Sequence, residues 1–344
     1  MKQRTTILDI ALELNTTAAT VSRALRDHPR ISYEMKQRVN ECAEKLNFKI
    51  NKIASSLRSG RTHVIGVMIP SAEINFFGSV VHGIESVANN EGYTVLIYQT
   101  NELKAQEIKG LETFLSARVD GILVSLSKQT DDYAHFLEIK NKGIPIAFFD
   151  RNNDQLGIPS VVVDDFKGAY LATTHLIEQG YQSIAHISGP LHVKIFHDRL
   201  MGYKQALNDH KKTFTNVMHF VGNVSIEAGR EGVKHLFAQR KKPDAIFAVE
   251  DFTALGVIKE LKSKGIAIPQ QVGVIGFANE QFDEHITPSL SSIDQQTVNM
   301  GKEAFNLILK SIHNLKSEHP MIIQNIKLEP IPFFRESSSR KDHA

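Results

Sequence analysis

Apolar residues recur at helical spacing through the first 46 residues of the chain. A short first helix is predicted from an apolar face at i, i+3, i+4 and i+7, made by Ile7, Ile10, Ala11 and Leu14. Asn15 interrupts this pattern, because asparagine tolerates the left-handed conformation of a sharp turn. A third helix, capped by Ser32, is predicted from the apolar positions Met35, Val39, Cys42, Ala43 and Leu46.

The second helix carries the most informative pattern, at residues 16–25. Thr17 can cap it, and Val21 and Leu25 point inward. Its outer face is small, polar and basic, with Ala18, Ala19, Ser22 and Arg23. Two short helices around a tight turn with such a face indicate either a DNA-reading helix-turn-helix or an ordinary helical hairpin, and these residues alone leave both open.

From His63 the pattern changes to apolar runs that alternate with amphipathic segments. The run at 64–69 and the helical segment at 79–90 begin one set, which continues to 163, and a similar set occupies 169–277. Alternation of this kind indicates parallel sheet covered by helices on both faces. Two such sets predict two similar lobes with a cleft between them. A helix at 295–315 and a strand at 321–327 follow, and the polar tail from Glu336 is expected to be disordered.

Charge separates the two parts of the 344-residue chain. Residues 1–61 hold 12 Lys and Arg against 6 Asp and Glu, whereas the remainder is net acidic, with 28 against 32. A basic head on a mildly acidic body is typical of a phosphate-binding module attached to a separate globular domain. The single cysteine, Cys42, excludes an internal disulfide and is expected in the core. With no signal peptide and no apolar run of membrane-spanning length, a soluble cytoplasmic protein without membrane contact is expected.

The motifs resemble those of the lac/gal repressor (LacI–GalR) family of bacterial regulators, and the resemblance extends from about Thr6 to Arg335. In the head they are TILDIA at 6–11, TVSRAL at 20–25, KLNF at 45–48 and NKIASSL at 51–57. In the body they include IGVMIP at 65–70, NFF at 75–77, RVDGI at 118–122, ISGP at 187–190, RLMGY at 199–203 and VIGF at 274–277. Each motif is modest, but they are collinear and in the family's order.

The resemblance implies a small all-α helix-turn-helix head on a two-lobed α/β body with parallel sheets, of the type I periplasmic-binding-protein kind. The expected divisions are a DNA-binding domain at 1–48, a hinge at 49–61, a body at 62–335 and a disordered tail at 336–344. Within the body, the N-lobe is expected at about 62–160 and 292–320, and the C-lobe at about 161–291 and 321–335. The body is expected to bind an effector and to form a homodimer, which places two heads on a pseudo-palindromic operator in double-stranded DNA.

The family places the second helix in the major groove. Carried across, the base-reading positions are Thr17, Ala18, Ala19 and Arg23. Arg23 can bond guanine in a bidentate manner, whereas the two alanines offer only apolar contact. Thr6, Thr20 and Ser22 are expected at phosphates.

Leu57 is the sharpest expectation in the hinge. In the family, the linker helices of two subunits pair in the minor groove and a leucine from each wedges into the central base step. Small or polar neighbours, Asn51, Ala54 and Ser55, favour this role over packing of the linker against its own domain. Leu57→Ala is expected to weaken specific operator binding by about 1–3 kcal/mol. Unchanged affinity and an unbent operator in a gel shift would contradict it.

The resemblance also places a small polar, sugar-like effector between the lobes, at the carboxyl ends of strands. The expected contacts are Asn75, Phe76, Phe77, Asp150, Arg151, Arg199, Glu250, Asp251 and Asn279. Arg199 matches the family's effector-gripping arginine, since a guanidinium suits several hydroxyls or a carboxylate. Phe76 and Phe77 fit core packing equally well. Glu250-Asp251 replaces the family's common Asn-Asp, and Ala278-Asn279-Glu280 follows a strand where many members carry an aspartate, so the effector's identity does not follow.

Other functions lack a supporting motif. Gly273 and Gly276 do not form a dinucleotide loop, no serine sits in a nucleophile elbow, and the 15 histidines show no metal-ligand spacing. His186 and His197 fit structural roles. We therefore expect no catalytic residue, metal or cofactor. A solute-binding sensor of the periplasmic-binding class remains the alternative to a repressor of carbohydrate-utilisation genes, with an α/β enzyme less favoured. A salt-sensitive shift of palindromic DNA distinguishes the regulator.

Overall fold

The computed structural model describes residues 5–48, 61–315 and 325–340. The chain divides into two compact units, a head (Met1–Thr62) and a body (His63–Ala344). The hinge residues Asn51, Ala54 and Leu57 lie outside the described residues. Among the described helices, none is long and apolar enough to cross a membrane.

The head consists of α1 (Ile7–Glu13), α2 (Ala18–Ala24) and α3 (Tyr33–Lys45). Each helix begins at a hydroxyl residue whose side chain accepts a backbone N–H, which satisfies one of the otherwise unpaired donors of the first turn. The predicted apolar faces meet in one core, in which Ile10, Val21 and Val39 are fully buried. Cys42 lies in this core, so the prediction for the head is confirmed.

Strands and helices alternate along most of the body. Its strands are β1 (Val64–Ile69), β2 (Thr94–Gln99), β3 (Gly121–Val124), β4 (Ile146–Phe149), β5 (Ser160–Val163), β6 (Ile184–Ser188), β7 (His219–Val221), β8 (Ala245–Ala248), β9 (Gly273–Ile275), β10 (Ser292–Asp294), β11 (Ile326–Leu328) and β12 (Ile331–Phe333). Its helices are α4 (Asn75–Asn90), α5 (Lys104–Ser116), α6 (Ala134–Asn141), α7 (Asp165–Glu178), α8 (Lys194–Asp209), α9 (Ile226–Phe237), α10 (Asp251–Ser263) and α11 (Thr297–Asn314).

Two parallel sheets define two lobes. The first sheet has the order β11-β5-β4-β3-β1-β2, and the second has the order β7-β6-β8-β9. The central strands β3, β4 and β8 are buried throughout, as expected for parallel strands with helices on both faces. The prediction of a two-lobed α/β body with parallel sheets is therefore confirmed.

The lobe boundaries differ from the sequence prediction. Residues 161–163 and 326–328 were expected in the C-lobe, but β5 pairs with β4, and β11 pairs with β5, in the first sheet. Strand pairing decides the lobe to which each strand belongs, because a short apolar run does not indicate which sheet it joins. The chain passes between lobes after β5, around β10 and after β11, and β10 pairs antiparallel with β12.

The prediction of a disordered tail is wrong for residues 336–340. Ser337 and Ser338 are fully buried. The Ser337 N–H donates to the Ser289 carbonyl, and the Ser337 hydroxyl donates to the Val274 carbonyl over 2.7 Å. Small polar residues predict a solvent-exposed tail, but Ser337 also accepts the Val274 N–H and so bonds the edge of β9 that no described strand covers.

Glycines bring helix pairs into backbone contact in both lobes. In the first, α11 packs on α4, and a Cβ added at Gly301 would lie 2.1 Å from the Val80 carbonyl oxygen. In the second, a Cβ at Gly202 of α8 would lie 2.1 Å from the Phe166 carbonyl of α7. A Cβ at Gly256 of α10 would lie 2.0 Å from the Ile226 carbonyl of α9. These positions require the absence of a side chain.

We expect Gly301→Ala to lower the free energy of unfolding of the body by about 1–3 kcal/mol, the usual cost of overpacking, or by more if the helices cannot separate. Gly78→Ala in α4 is the matched control, because a Cβ there meets nothing within 4 Å. Helix propensity predicts that this control is neutral or stabilising by up to about 1 kcal/mol. Urea denaturation followed by circular dichroism measures both, and equal stability of the two variants would contradict the close approach.

Candidate functional site

Helix α2 presents the predicted DNA-reading face. Ala19 and Arg23 are exposed, whereas Val21 and Ala24 are buried. The Arg23 Nε donates to the Ala19 carbonyl over 3.2 Å, which holds the base of the guanidinium along the exposed side of the helix. The face is therefore short and carries one cation, as the sequence predicted.

The threonines predicted to contact DNA also form hydrogen bonds within the head. Thr17 Oγ1 accepts the Thr20 N–H over 3.1 Å and lies 2.9 Å from the Thr20 hydroxyl. Thr6 forms a capping box with Asp9, in which each side chain bonds the other's backbone N–H. These hydroxyls hold the first turns of α1 and α2 in shape.

A cavity of about 370 Å³, here called the cleft cavity, lies in the body between residues of the two lobes. Six of the predicted effector residues line it: Phe76, Phe77, Asp150, Arg151, Arg199 and Glu250. The structure adds residues that the sequence reasoning missed, chiefly Glu73, Lys128, Phe196, Ser225, Glu227, Phe252, Glu280 and Gln295. Aromatic rings and charged groups therefore share one chamber.

Three predicted effector residues do not line the cleft cavity. Asn75 is exposed, and its Nδ2 donates to Glu280 Oε2 over 3.0 Å, so it positions a lining residue. Asp251 is fully buried and accepts bonds from the Ser292 hydroxyl and the Glu280 N–H. Asn279 Nδ2 donates to Asp294, and Asn279 Oδ1 accepts from Arg335. The Asp251 and Asn279 side chains are therefore held by other parts of the body.

Arg199 is the most heavily bonded lining residue, with a side chain only 2% exposed. Its Nε donates to Asp165 over 2.8 Å, Nη1 donates to the Val249 carbonyl over 2.6 Å, and Nη2 donates to Gln295 over 3.2 Å. The guanidinium also lies 3.7 Å from the centre of the Phe277 ring. A planar donor held this firmly is preorganised to bind hydroxyl or carboxylate oxygens.

Asp150 and Arg151 line the cleft cavity from the end of β4. Asp150 has a positive φ of 61°, a conformation of higher energy for a residue with a side chain, and it accepts a 3.0 Å bond from the Ser125 hydroxyl. Arg151 Nη1 donates to Glu102 over 2.8 Å and to the Leu126 carbonyl over 3.1 Å. The Arg151 Nε is buried and has no hydrogen-bond partner among the described residues.

Burial disfavours charge on several groups around the cleft cavity. It raises the pKa of the Asp150, Glu250 and Glu280 carboxyls above their ordinary values. It also lowers the pKa of Lys128, although Glu102 opposes the shift. Glu250 is additionally the N-cap of α10 and accepts the Phe252 and Thr253 N–H groups. An environment that penalises both signs of charge suits a neutral ligand rich in hydroxyl groups.

Several residues that sequence reasoning missed lie at helix starts: Ser225 caps α9, and Phe196, Glu227 and Phe252 lie in first turns. The predicted helical periodicity began at 79, 169 and 198, but α4, α7 and α8 begin at Asn75, Asp165 and Lys194. The first turns of α4 and α8 line the cleft cavity, so their pattern differs from that of the core-facing remainder of each helix. A short run of polar or aromatic residues soon after a strand marks such positions. It identifies Asn75–Phe77, and a comparable polar run follows β7 at Val224–Glu227.

The ionisation of Asp165 predicts a specific pH dependence. Burial raises the pKa of this carboxyl from 3.8 to about 6, although Arg199 opposes the shift. The stabilisation from protonated Asp165 is complete below pH 3.8 and is lost as the pH rises to about 6. Relative to Asp165→Asn, the unfolding free energy of the wild type should fall by about 3 kcal/mol over this range and stay level above it.

Urea titrations of both proteins at pH 4, 5, 6 and 7 measure this difference. Groups other than Asp165 titrate in both proteins and therefore cancel. Parallel pH profiles for the wild type and the variant would show that Asp165 keeps its ordinary pKa.

Comparison with known proteins supplies the family. Residues 6–51 match the profile of bacterial regulatory proteins of the lacI family, and residues 62–336 match periplasmic binding proteins and the sugar-binding domain of the LacI family. The chain is 30% identical to the HTH-type transcriptional repressor PurR of Vibrio atlanticus, covering 93% of this chain and 97% of the relative. It is 31% identical to catabolite control protein A of Priestia megaterium, covering 89% and 92%.

Solved structures show the same fold. The lac repressor dimer bound to operator and an anti-inducer matches with a TM-score of 0.87 at 21% identity, covering 98% of this chain and 99% of that one. The complex of the transcriptional regulator CelR with cellobiose matches with a TM-score of 0.72 at 25% identity, covering 97% and 100%. The chain belongs to the LacI family and is a DNA-binding transcriptional repressor of that family.

Proposed function

We propose that this repressor binds a pseudo-palindromic operator as a homodimer and responds to a sugar-like effector in the cleft cavity, controlling carbohydrate-utilisation genes from the cytoplasm. The observation that carries the effector proposal is the lining of the cleft cavity. Phe76 and Phe77 pack edge to face with ring centres 5.1 Å apart, and the anchored Arg199 lines the same cavity. Aromatic faces beside fixed polar donors bind the apolar face and the hydroxyls of a sugar ring.

The relatives support this choice of ligand class. The CelR structure is a complex with cellobiose, and the body of this chain matches the LacI-family sugar-binding domain. The buried carboxyls Asp150, Glu250 and Glu280 add acceptors for hydroxyl groups. Phe196 and Phe252 add further apolar surface. Together they describe a site for a neutral polyhydroxyl compound.

The dimer proposal follows from the operator geometry that a helix-turn-helix head requires. One head reads only a few base pairs with α2, so specificity needs two heads on two half-sites related by two-fold symmetry. Ligand in the cleft cavity would bind two arrangements of the lobes unequally, and that difference would couple to operator affinity.

A thermal-shift screen of the full chain tests the effector proposal. The panel contains neutral sugars, sugar phosphates and nucleobases, and each hit is carried into a gel shift with a palindromic fragment selected from random DNA by the full chain. We expect a neutral sugar to raise the melting temperature and to change the gel shift. Stabilisation by a nucleobase but by no sugar would replace the proposed effector class.

A further inference from the structure

A second cavity of about 280 Å³, here called the side chamber, lies against the cleft cavity. Arg151 lines both. The other shared walls are continuous chain segments: Ser127 and Lys194 line the side chamber, while their neighbours Lys128 and Ile195 line the cleft cavity. The two cavities therefore adjoin along Arg151 and these two chain segments.

We propose that the side chamber is a second glycosyl subsite, so that the effector has at least two sugar units, one in each cavity. This inference rests on the proposed sugar-binding function of the cleft cavity. Ligand pockets usually measure about 300–1,000 Å³. The side chamber alone is smaller than that and the cleft cavity lies near the lower end, whereas a ligand spanning both would fill a site of ordinary size.

The chemistry of the side chamber favours a neutral sugar unit over an anion. Its lining carries hydroxyl and amide groups from Ser127, Thr130, Tyr133, Asn153 and Gln155. The two cations that line it already face carboxylates: Arg151 bonds Glu102 over 2.8 Å, and Lys194 lies 3.6 Å from Asp154 and also pairs with Asp198. Neutralised cations attract a phosphate weakly, while hydroxyls and amides bond sugar hydroxyls at little desolvation cost.

Arg151 is a fixed part of the boundary that the two cavities share. Its side chain is 8% exposed, and its Nη1 donates to Glu102 over 2.8 Å and to the Leu126 carbonyl over 3.1 Å. These bonds hold the guanidinium in place beside both cavities. In a ligand that occupies both cavities, the oxygen joining the two sugar units would pass Arg151.

Hydrogen bonds from both lobes fix the walls of the side chamber. Glu107, which is fully buried, accepts bonds from the Ser127 N–H over 2.7 Å and from the Thr130 hydroxyl over 2.8 Å. From the other lobe, the His192 Nε2 lies 2.7 Å from the Lys128 carbonyl. The chamber is thus closed by both lobes, and its occupation would bear on their relative position.

Isothermal titration calorimetry of the full chain tests the inference with glucose, galactose and ribose against cellobiose, maltose and lactose, and with glucose 6-phosphate as the anionic arm. We expect at least one disaccharide to bind tenfold or more tightly than its component monosaccharides. Gln155→Trp, at an exposed position on the chamber rim, should remove that advantage while leaving monosaccharide affinity unchanged. Tyr133→Phe, which keeps the ring but removes the hydroxyl, should weaken disaccharide binding about three- to tenfold.

Lys109→Trp, on the exposed face of α5, is the matched control and should bind every probe as the wild type does. Monosaccharides that bind as tightly as disaccharides, or a disaccharide advantage that survives Gln155→Trp, would overturn the second subsite alone. Tighter binding of glucose 6-phosphate than of any disaccharide would replace the glycosyl unit by an anion and overturn it too. Binding of no probe would overturn the proposed function as well.

Discussion

Replacing Arg199 by methionine should lower the free energy of unfolding of the body by about 3–5 kcal/mol at pH 7 and abolish its response to effector. The stability loss follows because Asp165, whose carboxylate bonds the Arg199 Nε over 2.8 Å, would remain buried without its partner. Removing one member of a buried ion pair typically costs that much. The loss of response follows because the same guanidinium lines the cleft cavity. Urea denaturation and the thermal-shift screen measure the two effects.

Two further variants separate the loss of stability from the loss of effector response. Arg199→Met combined with Asp165→Asn removes the unpaired carboxylate and should recover part of the stability, but none of the ligand response. Gln205→Met changes an exposed residue on the same helix and should lie within about 0.5 kcal/mol of the wild type. An Arg199→Met protein as stable as this control would show that the buried ion pair contributes nothing.

Replacing Arg23 by alanine should weaken operator binding by about 1–3 kcal/mol per half-site, and therefore at least about 30-fold for a dimer on two half-sites. Arg23 is exposed on α2 and is the cation among the predicted base-reading positions. Losing a bidentate contact to guanine should also relax selectivity at one base pair of each half-site. Fluorescence anisotropy with the selected palindrome and single-base variants measures both effects.

Arg38→Ala is the matched control for charge, since Arg38 is exposed on α3 of the same head. It removes one positive charge without touching α2, so it should weaken selected and random DNA equally and slightly. If Arg23→Ala behaves in the same way, Arg23 contributes only charge and the sequence is read by other means.

The sequence predicted the parts of the fold that obey a simple period. The apolar faces of α1 and α3 and the buried runs of β3, β4 and β8 follow directly from spacing. Pairing between distant segments produces no periodic pattern in the local sequence. For that reason the sequence predicts the wrong lobe for β5 and β11. It also predicts a disordered tail at Ser337, which in fact bonds the edge strand β9.

The sequence predicts where the cleft cavity lies, but only some of the residues that line it. Residues directly after strands are predicted at the cleft, and Asp150 and Arg151 line it. Side-chain direction was not predictable, because it depends on partners from other elements. Asp251 turns inward to meet Ser292, and Asn279 is held by Asp294 and Arg335. Glu280, one residue further on, lines the cavity in place of Asn279.

Occupation of the cleft cavity should change the affinity of the head for its operator. The direct measurement is an anisotropy titration of the full chain on its selected palindrome, with and without a saturating amount of the sugar that gives the largest thermal shift. We expect the dissociation constant to change by about 5- to 150-fold, the usual range of such coupling, and Arg199→Met to show no change. The same dissociation constant with and without saturating sugar would contradict the account.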